Sequence, residues 1–285
     1  MAPTFRLVTQ PADPGFVADV RRAAGVWSGN PTVPLTYLLL GLAYATILLL
    51  QPVPPEHCAT KYLGTCPLPP EQAGRAALAS FGLLPVLLFQ IGLAGTARVW
   101  YARRFAGDAD GDRVTPGEVW TLSWRFFGRF LRLGLLFAAL TAPFVIVVSV
   151  IAISQDDRLV LLLGSAAIAF VADVVLTFAT PGLALYNDRA VKAFTGGLKI
   201  LRTAWPECAL YALVPPLALL IVAQGNPQAL GRPLSAALAL VSPLLTLLFA
   251  GAAVSFVTRR WPPMGRDGSL AGARPWQHPQ VQGPI

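Results

Sequence analysis

The chain alternates between long apolar runs and short basic segments, and six runs approach the length, near twenty residues, that a helix needs to cross about 30 Å of hydrocarbon. They are approximately Val33 to Leu50, Ala76 to Ala97, Leu133 to Ser154, Leu159 to Leu183, Cys208 to Ala223 and Leu234 to Val257. The fifth is short and interrupted by Pro215 and Pro216. Membrane β-strands would be about ten residues long and would alternate apolar with polar positions, a pattern absent from runs such as Leu135 to Ile153. The expected fold class is therefore all-α, a polytopic membrane helix bundle. The expected organisation is an amphipathic N-terminal segment over 1–32, a six-span domain over 33–257 and a disordered tail over 258–285.

Three segments between the runs carry helical periodicity of their own. In the second, Thr115, Pro116 and Glu118 make a helix start, with Thr as N-cap, Pro at the first helical position and Glu three residues after the cap. Val119, Leu122, Phe126, Phe130 and Leu133 then fall on one stripe, and Arg125, Arg129 and Arg132 on another. The third opens at Asn187 or Asp188, sets Val191, Phe194, Leu198, Leu201 and Trp205 on its stripe with Lys192, Lys199 and Arg202 opposite, and stops before Pro206. The first starts at Asp13 and Pro14, places Phe16, Val20, Ala24 and Trp27 on its stripe and Arg21 and Arg22 on its basic face, and ends at Pro31. An apolar stripe with a basic face lies flat on an anionic leaflet. The expected unit is one interfacial helix plus a hairpin of two spans, used three times.

Charge orients the runs. Of 22 Lys and Arg, eighteen fall in the segments on one side of the expected spans and four, Lys61, Arg75, Arg158 and Arg232, on the other. Because Lys and Arg accumulate in cytoplasmic loops, the expected localisation is the cell membrane, multi-pass, with both termini cytoplasmic. The net charge of +8 is thereby explained without nucleic acid. The first apolar run begins only at Val33, so a cleavable leader is not expected. Cys58 and Cys66 share the loop after the first span, on the side with few charges, and are a candidate disulfide if that compartment is oxidising. A zinc site with His57 lacks ligands, and Cys208 reads as a small apolar filler.

The leads TPGEVWTLSWRFFGRFLRLGLLF into the third span and YNDRAVKAFTGGLKILRTAWPECALYALVPP into the fifth resemble the bacterial six-span proteins related to the membrane domain attached to some glycerophosphoryl diester phosphodiesterases. The resemblance spans roughly Pro14 to Arg260. It implies a six-span architecture and brings no catalytic residues with it.

Candidate chemistry is sparse. Asp173 stands in the fourth span among Phe170, Val171, Val174, Val175 and Leu176, and an ionisable group at such depth marks either a pathway or a helix-to-helix hydrogen bond. Gln90 and Thr177 are its candidate companions at an intramembrane polar site. Pro85, Pro143, Pro181, Pro215, Pro216 and Pro243 interrupt the runs, as they do in transporters and also in helices kinked for packing alone. Asp108, Asp110 and Asp112 miss the register of a calcium loop, which needs Gly sixth and Glu twelfth where this chain has Arg113 and Val119. Asp156 and Asp157 read as solvated turn charges. No phosphate loop, HExxH pair or GxSxG elbow occurs, so no cofactor or metal is expected, and a membrane enzyme is a third and poorer reading. Two readings remain: a non-catalytic scaffold or accessory component that engages the anionic inner leaflet, a membrane-protein partner or a second copy, and a transporter or permease for a small or amphiphilic solute that uses Asp173.

Overall fold

A computed structural model describes residues 15–50, 70–105, 114–155, 158–185, 189–223 and 232–260. Within them the chain forms eight helices and no strand: α1 (Phe16–Val26), α2 (Thr32–Leu50), α3 (Pro70–Phe105), α4 (Pro116–Gln155), α5 (Arg158–Leu185), α6 (Ala190–Thr203), α7 (Trp205–Ala223) and α8 (Arg232–Arg260). Cys58, Cys66, Asp108, Asp110, Asp112, Asp156, Asp157, the starts expected at Asp13 and Asn187 or Asp188, and the tail beyond Arg260 lie outside the described residues.

Five of these helices, α2, α3, α4, α5 and α8, are long and apolar enough to cross a membrane. The fifth expected run coincides with α7, whose 19 residues carry Pro215 and Pro216 without ending the helix. Pro85, Pro143, Pro181 and Pro243 likewise lie inside α3, α4, α5 and α8. Helix α8 continues to Arg260, three residues past the boundary expected at 257.

The helix starts are legible in local chemistry. The Thr115 hydroxyl accepts the Glu118 amide at 3.3 Å and α4 begins at Pro116, as the N-cap pattern requires. Asn30 performs the same task for α2, its Oδ1 accepting the Thr32 amide at 3.1 Å. No side chain caps α1 or α6, whose N-cap positions are Gly15 and Arg189.

Separate short helices stand at the first and third of the expected segments, α1 and α6, but not at the second. There Val119 to Leu133 belong to α4, one continuous helix of 40 residues, roughly 60 Å long at 1.5 Å per residue. That is about twice the hydrocarbon thickness of a bilayer. Its Val119, Phe126, Phe130 and Leu133 are buried against α3. The segment continues straight into the apolar run because its stripe has a helix to cover it, leaving no break at which the chain would turn.

Helix α8 is the hub and packs against α1, α2, α3, α5 and α7. Close approach depends on glycine at two positions in particular. A Cβ at Gly92 of α3 would collide with the Ser123 backbone carbonyl of α4, and one at Gly41 of α2 with the Leu240 carbonyl of α8. Such small-residue contacts are how membrane helices gain van der Waals area where no hydrophobic drive joins them.

Packing is concentrated at one end. Residues 251–257 of α8 are all buried, as are Leu93, Ala97, Val99, Trp100 and Tyr101 of α3. This end also gathers α1 and most of the described Arg and Lys, and is called the basic end below. Toward the other end no residue of α4 between 134 and 151 is buried, and Leu135, Leu140, Phe144, Ile146 and Val150 stand exposed.

Candidate functional site

The best-formed polar constellation lies at the basic end, around Asp19. Helix α1 turns Asp19, Ala23 and Val26 inward and lies along α8. The approach depends on small residues, since a Cβ at Gly251 would strike both the Tyr101 ring and Ala23. Asp19 is 4% exposed. Its Oδ1 accepts the Ser255 hydroxyl at 2.7 Å, and its Oδ2 accepts Arg259 Nη2 at 2.9 Å and the Tyr211 hydroxyl. One carboxylate thus ties α1 to both α7 and α8, with charge-assisted hydrogen bonds on each oxygen.

Arg22, one turn along, completes the group. It donates to Ser255 Oγ at 3.5 Å and to the Phe105 carbonyl at 3.3 Å, and its guanidinium lies 4.5 Å from the Phe105 ring centroid. Burial lowers its pKa and the neighbouring Asp19 carboxylate opposes that shift, while Arg259 adds to it. Ser255 therefore relays between the Arg22 cation and the Asp19 anion, accepting from one and donating to the other. A second tie comes from Trp27, whose indole donates to the Tyr101 hydroxyl at 2.7 Å. Phe16 packs edge-on to Tyr211 with ring centroids 5.1 Å apart.

The arrangement corrects the expected first stripe. Phe16, Val20 and Trp27 are partly buried against the core as expected, but Ala24 is exposed, and Arg22 points into the group around Asp19. The inward line runs through Asp19 because its carboxylate finds three donors there. Hydrophobicity alone assigns an Asp to the polar side, and that is why the sequence reasoning passed over it. A usable signal existed: Asp19 is spaced three from Phe16 and four from Ala23, on the apolar stripe itself.

The expected intramembrane residues fall apart into separate local contacts. Gln90 Oε1 accepts the Tyr44 hydroxyl of α2. The Thr177 hydroxyl donates to the backbone carbonyl of Asp173, one turn earlier, at 2.7 Å. The Asp173 side chain is exposed, and among the described residues no hydrogen bond links it to Gln90 or Thr177.

The basic faces are arranged differently from expectation in one respect. Arg125, Arg132, Lys192, Lys199 and Arg202 are exposed and Arg129 is half-buried. On α6, however, the buried residues are Ala193 and Gly197, and a Cβ at Gly197 would strike the Ala179 backbone of α5. Val191 and Leu198 of the expected stripe, with Trp205 at the start of α7, therefore project outward at 62%, 41% and 48% exposure. Phe194 and Leu201 are partly buried. Small residues take the protein contact, leaving large apolar and cationic groups on the outer surface together. Trp120 and Trp124 of α4 are likewise exposed beside Arg125.

Arg98, one of the eighteen cations counted on one side and the first residue past the expected second span, lies inside α3 and is half-buried. Its Nη1 donates to the Ala94 carbonyl at 2.7 Å and its guanidinium faces the Phe130 ring at 5.7 Å. Arg103, closer to the helix end, pairs with Glu118 of α4 at 2.9 Å. Cys208 is fully buried among Phe178, Tyr211 and Ala212, in keeping with an apolar filler.

The site so described is a set of ties between helices. No group of three potential metal ligands occurs among the described residues. No family model, curated protein or solved structure matches this chain.

Proposed function

We propose that this chain is an integral protein of the cell membrane that crosses the bilayer six times, with α7 as the fifth crossing and both termini cytoplasmic, and that it serves as a non-catalytic scaffold or accessory component. The observation that carries this reading is the division of the exposed surface. Bare Leu, Ile, Val and Phe clothe α4 over 134–151, whereas exposed Trp, Arg and Lys collect on α4 before Leu133 and on α6. Water would penalise the first surface heavily. An anionic leaflet suits the second, each surface cation adding about 1 kcal/mol. The resemblance to six-span proteins related to phosphodiesterase-attached membrane domains supports the same architecture.

Labelling tests the arrangement directly. A thiol reagent that cannot cross the membrane should leave cysteines placed at Arg125 or Lys199 unmodified in intact cells and should modify them after permeabilisation. Modification in intact cells would refute the orientation and with it the inner-leaflet role.

One observation favours transport as a second reading: a carboxylate, Asp173, is exposed within an otherwise apolar helix long enough to span. An ionisable group there is costly unless a pathway uses it. Replacing Asp173 with Asn and with Leu should abolish the phenotype-restoring activity of the gene if transport is its role. Full restoration by both variants removes that reading.

A further inference from the structure

Helix α5 carries two acceptors on adjacent turns of one face and brings a donor to neither. The Asp173 side chain is exposed, and among the described residues it takes part in no ion pair and no hydrogen bond. Thr177 stands one turn on, on the same face. Its hydroxyl spends its proton on the Asp173 backbone carbonyl at 2.7 Å, so what the oxygen has left to offer is lone pairs. Gln90, the third polar group expected there, accepts the Tyr44 hydroxyl instead.

Depth narrows what can reach this face. Helix α5 runs from Arg158 to Leu185, which places Asp173 about 22 Å from one end and about 18 Å from the other at 1.5 Å per residue. On the membrane reading that is near the middle of the hydrocarbon, where a carboxylate is costly and water is not at hand. Such groups are satisfied by a hydrogen bond from a neighbouring helix. Helix α5 already packs against α3, α4, α6, α7 and α8, and among the described residues none of them supplies that bond. The helix that supplies it therefore belongs to another chain. Two acceptors without a donor call for N–H groups, and a Lys or Arg gives the carboxylate the stronger, charge-assisted bond. A second copy related by a twofold axis would bring the same acceptors to the same depth, carboxylate against carboxylate.

We propose that the face of α5 bearing Asp173 and Thr177 is a docking site, within the membrane, for a spanning helix of a different protein that carries a Lys or Arg near the middle of its apolar run. The proposal rests on the membrane-scaffold reading above and names the chemistry of its partner. The test places the full-length protein, labelled with a fluorescent donor, in phosphatidylcholine vesicles with acceptor-labelled synthetic helices of about twenty leucines. One probe has a single central Lys, one a central Glu, and one is Leu throughout. Energy transfer reads association. The Lys helix is expected to associate about three- to tenfold more tightly than the Leu helix, the range of an interhelical hydrogen bond in a bilayer, and the Glu helix no better than the Leu helix. D173L should erase the preference, and T177V should reduce it.

Equal association of the Lys and Leu helices with the wild type would overturn the proposal, and so would a Lys preference that survives D173L. If D173L does not fold, a preference undiminished in D173N has the same force. Self-association of the wild type that D173L abolishes would overturn the choice of a different chain over a second copy. A transport role leaves the association of these helices indifferent to Asp173, and none of the outcomes moves the cysteine labelling, so failure here is distinguishable from failure of the membrane reading.

Discussion

Replacing Asp19 should release the N-terminal helix while leaving the rest of the bundle folded. The carboxylate is 4% exposed and accepts from Ser255, Arg259 and Tyr211. Removing one partner of a buried, hydrogen-bonded charge costs about 3 to 5 kcal/mol where the other partner cannot reach water. Arg259 can, its side chain being 34% exposed in the ion pair, so the lower figure of about 2 kcal/mol for hydrogen bonds to a charged group applies. That corresponds to roughly a thirtyfold rise in the population with α1 detached. Asp19→Asn keeps the shape but turns an amide N–H toward groups that are themselves donors, and should cost as much as Asp19→Ala. Hydrogen exchange of residues 16–26 in detergent-solubilised protein measures the effect, with residues of α3 and α8 as internal reference. Exchange unchanged within a factor of two in both variants would refute the claim that this carboxylate holds α1 in place. Faster exchange throughout would refute the claim that α1 opens as a unit.

Other substitutions probe single links. Trp27→Phe removes the indole donor to the Tyr101 hydroxyl and should lower stability by about 1 kcal/mol, read as a fall in unfolding midpoint that Tyr101→Phe reproduces without adding to it. Thr115→Ala removes the cap on the Glu118 amide and should cost about 1 kcal/mol, appearing as faster exchange confined to the first turn of α4. Gly92→Val forces side-chain atoms onto the Ser123 carbonyl; it should separate α3 from α4 and cost at least the 1 to 3 kcal/mol typical of overpacking, with loss of monodisperse protein on gel filtration as the readout. Gly128→Ala, where nothing lies within reach of a new Cβ, should by contrast leave the midpoint unchanged or slightly raised.

The apolar runs were legible because length and hydrophobicity are enough to require a helix where backbone groups have no water to pair with. Helices α2 and α5 begin and end within two residues of the expected bounds. What periodicity left open was which apolar face meets protein and which stays on the outer surface. On α6 the large residues Val191 and Leu198 face outward and Ala193 and Gly197 face α5, because only small residues let two backbones approach closely. The same ambiguity joined the second segment to the third span: Val119, Phe126 and Phe130 suit a leaflet surface and the side of α3 equally, and the presence of Gly92 and Gly95 on α3 decides for the latter. The pairings of Asp19 with Arg259 and of Trp27 with Tyr101 link positions separated by 240 and 74 residues, and nothing local in the sequence announces them.

The position of the Asp19 group follows from the cost of burying charge. A carboxylate and a guanidinium taken deep into hydrocarbon would lose hydration that their mutual attraction does not restore, and the small residues that let α1 nest against α8 would serve as well at any depth. At the last turn of α8 the balance changes. Arg259 keeps part of its surface in water, Arg22 stays exposed while reaching Ser255 and Phe105, and one buried carboxylate on α1 suffices to gather donors from α7 and α8. Seated there, the network adds directional bonds to a contact otherwise made of apolar packing, Ala23 against Gly251 and Phe16 against Phe249. It fixes the register of the N-terminal helix at the end of the bundle where the cations of α4 and α6 are also displayed.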